Sequence, residues 1–133
     1  MRKLKKIQKN VSTIKAVIYA RVSSKEQERE GFSIPAQLEL LRKYAFDKNI
    51  TVVKEFEDVE TAKCAGRTNF NEMLKFLKYS EDCNTILVEK TDRLYRNIID
   101  FATVDNLHID LHFVKENCIL TENSHSSERF MHL

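Results

Sequence analysis

Apolar and polar positions along this chain switch between strand-like and helix-like patterns. Lys15 to Val22 is a short apolar run rich in β-branched residues and predicts a buried strand. From 34 to 48 the apolar positions Ile34, Leu38, Leu41 and Ala45 fall on one helical face, with Pro35 tolerated in the first turn. The pattern then predicts a strand at 51–57, a helix at about 69–80 with Phe70, Met73, Leu74 and Leu77 on its inner face, and a strand at 84–89. A helix at about 94–107 and a strand at 109–115 follow. Alternating strands and helices imply an α/β fold, a mostly parallel central sheet of about four strands with helices on both faces and right-handed crossovers. No internal repeat or low-complexity linker interrupts it.

Polar chemistry follows two of these strands. After the first comes Arg21-Val22-Ser23-Ser24, with Gln27 four residues past Ser23; after the third comes Glu89-Lys90-Thr91-Asp92-Arg93-Leu94-Tyr95-Arg96-Asn97. Open α/β sheets bind ligands at the carboxyl ends of their strands. Arg93 and Arg96, three apart, are expected on one face of a helix, and Arg67 stands just before the 69–80 helix. A hydroxyl and four arginines point to phosphate. Guanidinium donates paired hydrogen bonds to phosphate oxygens and keeps its charge at any working pH, while serine needs a base or a positive field to act as a nucleophile. A carboxylate such as Asp92 could orient the arginines. Taken singly, each residue has an ordinary reading: Ser23 as a cap or loop hydroxyl, Arg93 and Arg96 as solvated helix charges, Asp92 as an N-cap. Their order and spacing together carry the argument.

Tyr19-Ala20-Arg21-Val22-Ser23-Ser24, then Gln27, Arg67 and Asp92-Arg93-Leu94-Tyr95-Arg96 resemble the signature of the serine recombinases, the resolvase/invertase group, in their amino-terminal catalytic domain. The pattern is nearest to the large serine recombinases and spans Lys15 to roughly Met131. The resemblance implies that Ser23 attacks a DNA phosphodiester, giving a 5′-phosphoseryl link and a free 3′-hydroxyl. Arg21, Arg67, Arg93 and Arg96 would surround the phosphate, Gln27, Gln37 and Asp92 would help order the site, and Gln37 would also lie at the DNA. It implies double-stranded DNA as partner, dimers and tetramers in the intact protein, no cofactor and no metal, and a cytoplasmic, nucleoid-bound location. Asp58 to Arg67 reads as a long polar loop with one of the two glycines, so Arg67 is expected on a mobile segment that DNA and a partner subunit close over Ser23.

Charge and composition narrow the picture further. Arg2, Lys3, Lys5, Lys6, Lys9 and Lys15 place +6 in the first fifteen residues, so the net +2 leaves the remainder near −4. The body is therefore not a generic basic DNA binder; the tail could contact phosphate or be a solvated terminus. Two glycines, one proline and 32% charged residues argue for an ordered unit, and no apolar stretch approaches membrane length. The scattered Cys64, Cys83 and Cys118 fit a reducing compartment. His108 and His112 have ligand spacing for a helix but fall in a stretch patterned like a strand. There is no ATP-binding G-x-x-x-x-G-K-S/T run, nor a hydrolase G-x-S-x-G elbow.

The organisation expected is a basic tail at 1–14, a catalytic domain at 15–123, and at 124–133 the start of a truncated helical segment. Such a fragment would be inactive alone and bind DNA weakly, without sequence selectivity. The rival reading is a non-catalytic, flavodoxin-like module whose arginine edge binds nucleic acid or phosphate.

Overall fold

The computed structural model describes residues 13–25, 33–61 and 67–124. Gln27 and the segment after Ser124, where a helix start was expected, lie outside them. The elements run β1 (Lys15–Ser23), α1 (Ile34–Asp47), β2 (Thr51–Glu60), α2 (Thr68–Tyr79), β3 (Cys83–Val88), α3 (Thr91–Leu94), α4 (Ile98–Asp105), β4 (Asp110–Phe113), a 3-10 turn (Val114–Glu116) and β5 (Cys118–Leu120). The sheet order is β2-β1-β3-β4-β5, parallel except for the β4/β5 pair.

β1 lies between β2 and β3 and is buried through its interior, which is why its sequence is apolar without alternation. Ala16, Ile18, Ala20 and Val22 pack against Ile34, Leu38, Leu41 and Ala45 of α1. Val17 and Tyr19 join the opposite core with Phe70, Met73, Leu74 and Leu77 of α2 and with Leu94, Phe101 and Val104. Helices therefore cover both faces. Ser33 starts α1 by accepting from the Ala36 N–H at 3.3 Å, and Pro35 sits in the first turn as expected.

The chain departs from its sequence pattern in three places, each for a local reason. β2 continues three residues beyond the expected strand, through Asp58 to Glu60. Asp58 is buried, yet it faces inward because its carboxylate caps α2, accepting from the Asn69 and Phe70 N–H groups at 3.0 and 2.8 Å. The single helix expected at 94–107 is instead two. Tyr95 turns extended and is buried against Phe101 and Phe113, and Asn97 opens a new helix by accepting from the Asp100 N–H at 3.0 Å. The last expected strand ends at Phe113, and Asn117, at φ 49°, reverses the chain into β5. The sheet thus has five strands among the described residues rather than about four.

Candidate active site

The candidate residues gather at the carboxyl ends of β1 and β3. β1 outruns β3 here: its last partner on β3 is Tyr19 with Val88, while on β2 the ladder continues to Ser23 opposite Glu60. Arg21 is left facing the vacated side with an N–H and a carbonyl that need partners. Gln37 of α1 supplies both, accepting from the Arg21 N–H at 3.2 Å and donating to its carbonyl at 2.9 Å. Gln37 is fully buried and fixes the backbone of Arg21.

The Arg21 side chain then ties three segments together. Its Nη1 meets Glu60 Oε2 at 2.7 Å, its Nε donates to the Arg93 carbonyl at 3.2 Å, and its Nη2 donates to the carbonyl of Asp92. The second oxygen of Glu60 holds Arg96 Nε at 2.6 Å. Arg96 also donates its backbone N–H to Asp100 at 2.7 Å, and the same carboxylate oxygen takes Arg67 Nη2 at 2.8 Å. Arg21, Arg67 and Arg96 therefore belong to one connected network beside the end of β1, where Ser23 sits half-buried, and Arg93 joins it through its backbone carbonyl.

Of the loop expected to carry Arg67, residues 62–66 lie outside the described residues, while Arg67 itself is described. It immediately precedes α2, its guanidinium lies 3.8 Å from the Phe70 ring centroid, and it donates to Tyr19 Oη and the Leu94 carbonyl, both at 3.2 Å. Burial lowers its pKa below the ordinary arginine value, with the like charges of Arg21 and Arg96 adding to the effect and Tyr19 and Asp100 opposing it. Tyr19 in turn donates to Asp58 at 2.7 Å; burial, then that hydrogen bond, raises its pKa, so the phenol keeps its proton.

Arg93 is the least exposed of the four, with 3% of its side chain accessible. Its Nε meets Glu89 Oε1 at 3.2 Å, and the other Glu89 oxygen meets Lys115 Nζ at 3.2 Å. Because the helix breaks after Leu94, Arg93 and Arg96 do not share a helical face as expected; they reach different carboxylates. Asp92 does not orient the arginines through its carboxylate, which is 73% exposed and 4.0 Å from Lys90. It contributes its carbonyl. A cavity of ≈ 450 Å³ opens beside Arg96, lined in part by Lys90, Thr91, Tyr95 and Asn97.

Glu60, Glu89, Asp100, Asp58 and the hydroxyl of Tyr19 organise this site, although the sequence pattern assigns none of them a role in it. Two left a signal there: Glu89 is four residues before Arg93, and Asn97 with Asp100 has capping spacing. Glu60 and Asp58 act through the β1/β2 register, which no local pattern reports. His108 lies in a turn at φ 54°, off any helix shared with His112, whose Nδ1 is 2.8 Å from the Tyr44 hydroxyl.

Solved structures share this architecture. A resolvase family site-specific recombinase from Streptococcus pneumoniae is 26% identical with a TM-score of 0.72 over 90% of this chain and 83% of that one. The N-terminal catalytic domain of TP901-1 integrase is 27% identical with a TM-score of 0.68 over 88% of each. The C-terminal catalytic domain of ISC1926 TnpA, an IS607-like serine recombinase, is 25% identical with a TM-score of 0.61 over 76% of this chain and 70% of that one. No curated protein matches the chain. The family model described as the resolvase N-terminal domain matches residues 16–133, and the chain therefore belongs to the resolvase family of site-specific recombinases, as their catalytic domain.

Proposed function

We propose that the chain cuts and rejoins double-stranded DNA through a phosphoserine on Ser23. Ser23 Oγ bonds to the scissile phosphorus as the bond from phosphorus to the 3′-oxygen breaks. The serine proton departs and the 3′-oxygen leaves as a hydroxyl. One phosphodiester replaces another, so attack by a new 3′-hydroxyl reverses the step without ATP. Charge on the equatorial oxygens of the transition state is met by the guanidinium groups of Arg21, Arg67, Arg93 and Arg96. Gln37 positions Arg21, Gln27 is assigned a role in ordering the site on the family resemblance alone, and Asp92 contributes its carbonyl to Arg21. The observation that carries this reading is the joining of Arg21, Arg67 and Arg96, with the backbone of Arg93, into one network at the strand end that bears Ser23. Dimers and tetramers would bring the cut ends together for exchange.

The chain, joined to the dimerising and DNA-binding regions of a resolvase-family recombinase so that it is not tested as a fragment alone, is incubated with that recombinase's crossover duplex to test this. The expected result is a protein–DNA adduct that survives denaturant, maps to Ser23 and vanishes in Ser23→Ala, which still binds DNA. An adduct on another residue refutes the assignment; no adduct at saturating DNA returns the chain to a phosphate-binding module.

A further inference from the structure

Of the carboxylates in the arginine network, Glu60 stands apart because it joins two guanidinium groups. One oxygen lies 2.7 Å from Arg21 Nη1 and the other 2.6 Å from Arg96 Nε. A phosphodiester offers the same pattern, two anionic oxygens on one centre, each able to take a guanidinium hydrogen bond. The position also suits the chemistry. Glu60 is the register partner of Ser23 on the neighbouring parallel strand, and paired residues there present their side chains to the same face. The Glu60 side chain is 19% exposed and that of Arg96 35%, so an incoming anion can reach both, whereas the Glu89 carboxylate holding Arg93 is 3% exposed.

We infer that Glu60 is the resident counter-ion of the phosphate site, occupying the place between Arg21 and Arg96 until a DNA phosphate displaces it. The inference rests on the phosphoryl-transfer reading for the identity of the anion, and on geometry alone for the exchange. Glu60 lets two arginines stand close together without DNA, since each charge is paired. It also lowers affinity, because a phosphate must first break two charge-assisted contacts. Glu60 is thus a positioning residue that sets how readily the site accepts DNA.

The test is fluorescence anisotropy of a labelled 20-base-pair duplex at low salt, with every chain carrying Ser23→Ala so that only reversible binding is read. Glu60→Gln, which keeps the shape and removes the charge, is expected to bind about ten-fold tighter, with a salt dependence steeper by about one phosphate contact. In an Arg96→Ala background the gain should largely disappear. Equal or weaker binding by Glu60→Gln overturns the proposal, as does a full gain without Arg96, which would reflect net charge only. If Glu60→Gln lowers the melting temperature sharply, Glu60→Asp replaces it; one methylene shorter, it cannot span both arginines, and an unchanged affinity then refutes the idea. The two readings fail separately. Tighter binding with no adduct on Ser23 sinks the recombinase chemistry and keeps the anion site, while an adduct without tighter binding does the reverse.

Discussion

Gln37 stands in for a missing strand beside Arg21. Its amide takes the Arg21 N–H at 3.2 Å and gives to the Arg21 carbonyl at 2.9 Å, from a position with no solvent exposure. The rigidity of the Arg21 backbone thus comes from α1, the helix on the far face of the sheet from the arginine network.

Gln37→Leu keeps the volume and removes both bonds, leaving a buried backbone donor and acceptor unpaired. The expected loss is about 2–4 kcal/mol of stability, read as a lower urea midpoint with unchanged slope. Gln37→Glu should fare no better, since an ionised carboxylate cannot donate to the Arg21 carbonyl. Stability equal to the parent in both variants would show that the pairing contributes nothing.

Tyr19 gives the fold an alkaline limit. Its pKa is raised above the ordinary tyrosine value of 10.0 by burial and by the hydrogen bond to Asp58. A raised folded-state value means that the contribution is complete below about pH 10 and is lost as pH climbs, because the unfolded phenol ionises while the folded one does not. Tyr19→Phe should cost about 1.5 kcal/mol at neutral pH through the lost bond. Between pH 9 and 11 the parent should lose about 1 kcal/mol more than the variant. Parallel stability curves over that range would contradict the assignment.

The sheet and its two cores were legible because Ala16, Val17, Ile18, Leu38, Leu41, Phe70 and Met73 follow the periods that burial imposes. The break at Tyr95 was not, since the pattern at about 94–107 reads as one helix until Tyr95 is seen to pack against Phe101 and Phe113. β5 is three residues long, too short for any period to register. For the candidate site, the arginines were legible by their spacing. Their counter-ions were not, because Glu60 and Asp58 meet Arg21 and Tyr19 only after two strands 39 residues apart in sequence have paired.

Glu89 and Arg93 form an ion pair with each side chain 3% exposed. A pair so buried repays its desolvation only when both members are present. Glu89→Leu alone is expected to cost about 3 kcal/mol or more, and the double variant Glu89→Leu/Arg93→Met less than either Glu89→Leu or Arg93→Met. Urea unfolding of the four chains gives the coupling directly. Additive losses would mean that Lys115, also in contact with Glu89, carries the pairing instead.

Asp100 separates charge from geometry in holding Arg67. One of its oxygens accepts from both Arg67 Nη2 and the Arg96 N–H, so the amide oxygen of Asp100→Asn can keep both bonds while losing the charge. Arg67 is 12% exposed in its side chain and already has its pKa depressed by burial, so neutralising its partner leaves a poorly compensated cation. Asp100→Asn should therefore lose about 1–3 kcal/mol of stability although its hydrogen bonds persist. The same loss should largely vanish in an Arg67→Met background, where no charge remains to be compensated. A loss of equal size in both backgrounds would instead assign the role of Asp100 to the start of α4 through the Arg96 N–H, and Arg67 would then be held by Tyr19 and the Leu94 carbonyl alone.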